Sequence, residues 1–89
     1  MLNKYMEVII SSKSDLVTFN LVAKLLLQNF EIEFISKTNG LDQSYYDFIF
    51  QKNKYTLHRE HFIGISLLYE IENEDIVQLV KKIKNNILE

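Results

Sequence analysis

His58 and His61 sit three residues apart in YTLHREHF, with Arg59 and Glu60 between them, while Asp42 and Asp47 lie upstream. On a helix such a spacing brings two imidazoles together as metal ligands. The surrounding residues alternate as a strand does, so the offset sends the rings to different faces or to a loop tip. With no cysteine in the chain to complete a site, neither a metal nor any other cofactor is expected. General acid–base work needs a carboxylate or histidine in a cleft with a partner group, and Asp42, Asp47 and Glu60 are scattered charges in this sequence. An enzyme using His58 or His61 with Asp47 or Glu60 is therefore the weakest functional reading. Gly40 and Gly64 are the only glycines, which leaves no room for a phosphate-cradling GxxxxGK[ST] or GxGxxG loop.

These residues belong to YYDFIFQKNKYTLHREHFIGISLLYE, residues 45–70, which reads as three consecutive strands. Alternation puts Tyr46, Phe48 and Phe50 on one face. A first hairpin closing over Lys52 and Asn53 would set Phe50 against Tyr55; closing over Asn53 and Lys54 would set it against Leu57. Both registers bury the same face because they differ by two residues. Ile63, Ile65, Leu67 and Tyr69 must share a face with Leu57, which demands a second loop of odd length. Arg59, Glu60 and His61 satisfy that demand and set Leu57 opposite Ile63.

Ahead of this meander, residues 5–10 read as a strand with Met6, Val8 and Ile10 on one face. The polar run Ser11, Ser12, Lys13, Ser14 and Asp15 offers helix N-caps. A helix is expected from about Ser14 to Asn29, with Leu16, Phe19, Val22, Ala23, Leu26 and Phe30 on its apolar stripe. Leu25 and Leu27 widen that stripe, which implies deep burial or a second contact surface. Residues 30–38 alternate as a half-buried strand with Phe30, Ile32, Phe34 and Ser36 inward. The Asn39-Gly40 pair in the following loop permits positive φ. Asn73 is expected to cap a last helix, with Glu74 and Asp75 in its first turn, Lys81, Lys82 and Lys84 toward its end, and Ile76, Val80, Ile83 and Ile87 on its packing stripe.

The expected fold is α+β: one domain, residues 1–89, with a mostly antiparallel sheet in the order β-α-β-β-β-β-α and both helices on one face. A right-handed crossover through the first helix would leave the first two strands parallel. Tyr45, Asp47, Ile49, Thr56, His58, Phe62 and Leu68 would then project from the uncovered face, which is more apolar than a solvated face needs to be. The 89 residues carry no cysteine, no proline, no secretory-signal pattern and no run of eighteen apolar residues, so a cytoplasmic protein with no membrane partner is expected. Ten basic against 12 acidic residues give no electrostatic footprint for nucleic acid.

The cysteine-free chain, the element order and the stretch YTLHREHFIGISLLYE resemble the small immunity proteins of bacterial contact-dependent growth inhibition and related polymorphic toxin systems. That resemblance implies a non-enzymatic protein that binds a toxin domain and blocks it. A nuclease inhibitor of this kind is often strongly acidic, and the near-balanced charge departs from that pattern. The expected partner-binding residues are Asp42, Tyr45, Asp47, Arg59, Glu60 and His61, since tyrosine and arginine are favoured at interface centres and charged loop tips reach a partner first. The alternative is a homodimeric structural or regulatory module, built on the uncovered face or on the wide first helix.

Overall fold

The computed structural model describes residues 5–70 and 74–87. The elements are β1 (Met6–Ser11), α1 (Leu16–Asn29), β2 (Ile32–Asn39), β3 (Gln43–Phe50), β4 (Asn53–Glu60), β5 (Gly64–Tyr69) and α2 (Glu74–Ile87). This is an α+β fold in the expected order. The five strands form one sheet, β1-β5-β4-β3-β2, antiparallel at every pairing. β1 and β2 do run in the same direction, but they are the two edges of the sheet and not neighbours. Antiparallel pairing with β5 takes the place that a parallel β1–β2 pair would have held, and antiparallel ladders are the slightly stronger kind. A 14-residue helix rises about 21 Å and four strand spacings come to about 19 Å, so α1 is long enough to carry the chain from one edge to the other.

Period-two alternation sets the core. Phe48 and Tyr46 of β3, Tyr55 and Leu57 of β4, and Ile65 and Leu67 of β5 are buried with Phe19, Val22 and Leu26 of α1 and Ile76, Leu79 and Ile83 of α2. Each fully buried side chain of this size contributes about 1.5–3 kcal/mol. Edge-to-face aromatic contacts join the layers: Phe19 meets Tyr46 at 4.8 Å and Phe30 meets Phe50 at 5.4 Å between ring centroids.

Asp15, rather than a serine, caps α1. Its carboxylate accepts from the Thr18 backbone N–H at 2.9 Å and from the Thr18 hydroxyl at 2.8 Å. The Asn73 cap expected for α2 falls outside the described residues.

Register is where the strands depart from expectation. β3 and β4 pair Phe48 with Tyr55 and Tyr46 with Leu57, one two-residue step from the nearer expected register. The hairpin closes over Gln51 and Lys52, whose φ values of 51° and 67° are those of a left-handed two-residue turn. At the next turn Leu57 faces Leu67, not Ile63, and the odd-length loop is His61, Phe62 and Ile63. Ile63 consequently lies in the turn and is exposed. Positive φ falls at Phe62 and Gly64, while neither Asn39 nor Gly40 takes it. A Cβ on Gly64 would collide with the Ser11 carbonyl, so the β1 backbone approaches closely here.

β2 carries a bulge between Phe34 and Ser36. Past it the faces switch: Ser36 pairs with Asp47 on the uncovered side, and Lys37 turns inward with its ammonium 5.1 Å from the Phe34 ring centroid and 5.4 Å from that of Tyr46. Ser36 was expected inward, and the bulge reverses it.

Candidate protein-binding surface

Five antiparallel strands with both helices on one side leave the other sheet face uncovered. Its middle row is Tyr45 of β3, His58 of β4 and Ser66 of β5, direct cross-strand neighbours. The Tyr45 and His58 rings stack at 4.6 Å with an interplanar angle of 14°. His58 Nε2 is buried, has no hydrogen-bond partner and stands 4.0 Å from Glu60 Oε1. That same carboxylate oxygen accepts from Gln43 Nε2 at 3.1 Å, and the Tyr45 hydroxyl donates to Gln43 Oε1 at 2.6 Å. Further along the face Thr56 Oγ1 donates to Asp47 at 2.5 Å, Lys54 Nζ lies 3.8 Å from Asp47, and Ser66 Oγ donates to Glu7 at 2.7 Å. The uncovered face is thus a set of polar cross-strand pairs that largely satisfy one another.

At one end of the sheet three connecting segments meet: residues 12–15, the β2–β3 turn and the β4–β5 turn. The Arg59 guanidinium lies beneath them. Arg59 is 3% exposed and donates to Ser44 Oγ (3.2 Å), the Ser14 carbonyl (3.2 Å) and the Gly40 carbonyl (3.3 Å). All three acceptors are uncharged, so the guanidinium is solvated by the protein's own dipoles, with charge-assisted hydrogen bonds that are each stronger than neutral ones. The turns are also tied directly. His61 N–H donates to the Asp42 carbonyl at 2.7 Å, and Phe62 N–H donates to Ser14 Oγ at 3.2 Å.

On this braced end stand large apolar side chains in open water. Leu41 is 97% exposed and Phe62 is 89% exposed, with Ile63 also exposed beside them. Phe62 holds a φ of 69°, a conformation that costs an aromatic residue free energy, and its ring lies 3.9 Å from that of His61.

Residues 1–84 match the family model described as "Protein of unknown function (DUF3630)". The chain belongs to the DUF3630 family. No curated protein and no solved structure matches it.

Within this DUF3630 chain the six sequence-derived site residues divide. Tyr45 and Glu60 are joined through Gln43, and Asp42 and His61 are joined through the backbone at the braced end. Asp47 lies further along the same uncovered face with Thr56 and Lys54. Arg59 is a correction. It was expected at a loop tip, yet it is an inward-facing residue of β4, because the strand runs on to Glu60 and odd-numbered positions there point to the helices. Its parity with Tyr55 and Leu57 was the available signal.

Leu41 and Gln43 were read simply as loop, Phe62 as a strand residue of the uncovered face and Ile63 as core. The displaced β4–β5 turn accounts for the last two. Among the described residues no three His, Asp or Glu side chains converge as metal ligands, and no helix is long and apolar enough to cross a membrane.

Proposed function

We propose that this DUF3630 chain is a non-enzymatic protein-binding domain that recognises its partner through the braced loop end and the adjoining part of the uncovered sheet face. In its specific form, resting on the resemblance to immunity proteins, the partner is a bacterial toxin domain that the chain neutralises in the cytoplasm. One observation carries the reading: Leu41 and Phe62 stand almost fully in water on turns that are hydrogen-bonded to one another and to residues 12–15 above a buried arginine. Exposed apolar groups on a preorganised frame lose little conformational entropy on binding and suit the centre of an interface. Asp42, His61, Glu60 and Tyr45 supply the polar rim. The His58 imidazole, covered at Nε2 and stacked under Tyr45, suits a platform better than a general base.

The test is paired affinity capture from the native cell with the wild-type chain and a Leu41→Asp, Phe62→Asp double variant. A stoichiometric protein retained by the wild type and lost by the variant, with both baits folded by circular dichroism, is the expected result. Equal retention by both baits, or no stoichiometric protein on either, would contradict the proposal.

A further inference from the structure

We propose that the solvent-facing side of α1 is the interface of a two-fold symmetric dimer of this chain, a surface separate from the braced loop end. At 100° per residue, Leu16, Leu27, Asn20, Lys24, Val17, Gln28 and Leu21 occupy one continuous arc of about 140°. Every one of them is exposed. Val17 reaches 79%, and Leu16, Leu21 and Leu27 are each about half exposed. Lys24 is the only charge on the arc. The opposite arc, with Phe19, Val22, Ala23 and Leu26, is the one buried on the sheet. The helix is therefore apolar on two sides, and the sheet covers only one.

A second copy fits this side on three counts. The four large apolar residues expose on the order of 400 Å², about half of the roughly 800 Å² per partner of a standard specific interface, and the exposed Asn20, Lys24 and Gln28 extend the same surface. That apolar area is on the scale of the largest apolar patch on a typical monomer, a kind of patch that is often functional. Antiparallel packing about a two-fold at the level of residue 22 along the helix sets Val17 opposite the partner's Leu27 and Lys24 opposite the partner's Asn20, so the lone cation meets an amide acceptor and not its own copy. The same packing lays each helix dipole against its opposite, and α1 has no acidic residue in its first turn or basic residue in its last that such an approach would have to displace. Because the N-terminus of α1 adjoins the braced turns through Ser14, the two recognition ends of the pair lie at opposite extremes.

The test uses the full chain. Sedimentation velocity from low micromolar to several hundred micromolar should show a species of twice the 10.6 kDa chain mass that a Val17→Glu, Leu21→Glu double variant lacks, with an unchanged far-ultraviolet spectrum. Since the chain holds no cysteine, Leu21→Cys should form an interchain disulfide on mild oxidation while Lys54→Cys, on the uncovered sheet face, should not. A wild type that stays monomeric across that range overturns the proposal, as does a dimer that survives the double variant and crosslinks through Lys54→Cys instead. None of these outcomes depends on the partner capture, so the two proposals fail independently.

Discussion

α1 and α2 have the same length, lie on the same side of one sheet and bury the same kind of residue, yet they present opposite surfaces to water. α2 opens with Glu74 and Asp75, continues through Gln78, Lys81, Lys82 and Lys84, and exposes a single large apolar side chain, Val77. α1 carries one lysine on its outer side among four large apolar residues. Helix formation does not explain the difference, because both sequences propagate a helix well and tertiary burial supplies most of the stability in each. On the dimer proposal, what differs is the destination of the outer face: α2 is finished for solvent, and α1 for contact with a second copy.

If the inner faces are equivalent, matched truncations beneath the two helices should cost alike. Leu26→Ala in α1 and Leu79→Ala in α2 should each lower the unfolding free energy by about 2–5 kcal/mol in urea titrations, the usual cost of a buried leucine. A cost confined to one helix would show that the core is not shared. Next in size is Arg59→Met, which removes three hydrogen bonds beneath the turns leading into α1 and should destabilise by about 2–3 kcal/mol. The same substitution at Lys54, on the exposed side of the same strand, should change the unfolding free energy by less than about 0.5 kcal/mol.

A smaller effect attaches to the Asp15 cap. The Thr18 backbone N–H bonded to its carboxylate holds the Asp15 pKa below the ordinary aspartate value. A depressed folded pKa means that the cap contributes fully above the unfolded pKa and loses its contribution as pH falls through the folded one. Asp15→Ala should lower the thermal midpoint by a few degrees at neutral pH, and the gap between variant and wild type should close in acid. A gap that widened on acidification would reverse the assignment. Least of all, Val77→Glu should leave both stability and association as they are.

Much of this arrangement was legible in the residues. Tyr46, Phe48, Tyr55, Leu57, Ile65 and Leu67 declare the buried face by parity alone, and the apolar spacing of both helices is unambiguous. Parity is blind to a slip of two residues, as at the first turn, or of four, as at the second, because any even slip keeps every side chain on its face. That blindness moved the first turn to Gln51 and Lys52, where non-glycine residues take left-handed conformations, and the second to His61, Phe62 and Ile63. Arg59 was lost to the same slip: once Glu60 is placed in the strand, Arg59 must point inward. The β2 bulge at Ile35 and the pairing of β1 with β5 depend on contacts distant in sequence and leave no local mark. The width of the α1 stripe was visible from the start, but only the sheet's position distinguishes the covered arc from the open one.

The contrast between the two helices can be measured directly by solvent paramagnetic relaxation of valine and leucine methyl groups in the wild-type chain. In a single chain Val17 is 79% exposed and Val77 is 55% exposed, so a monomer would relax Val17 more strongly. With α1 buried in the dimer, the order at several hundred micromolar should invert, Val17 and Leu21 shielded and Val77 still open, and dilution should restore it. Val17 relaxing more strongly than Val77 at every concentration would contradict a contact role for the outer side of α1.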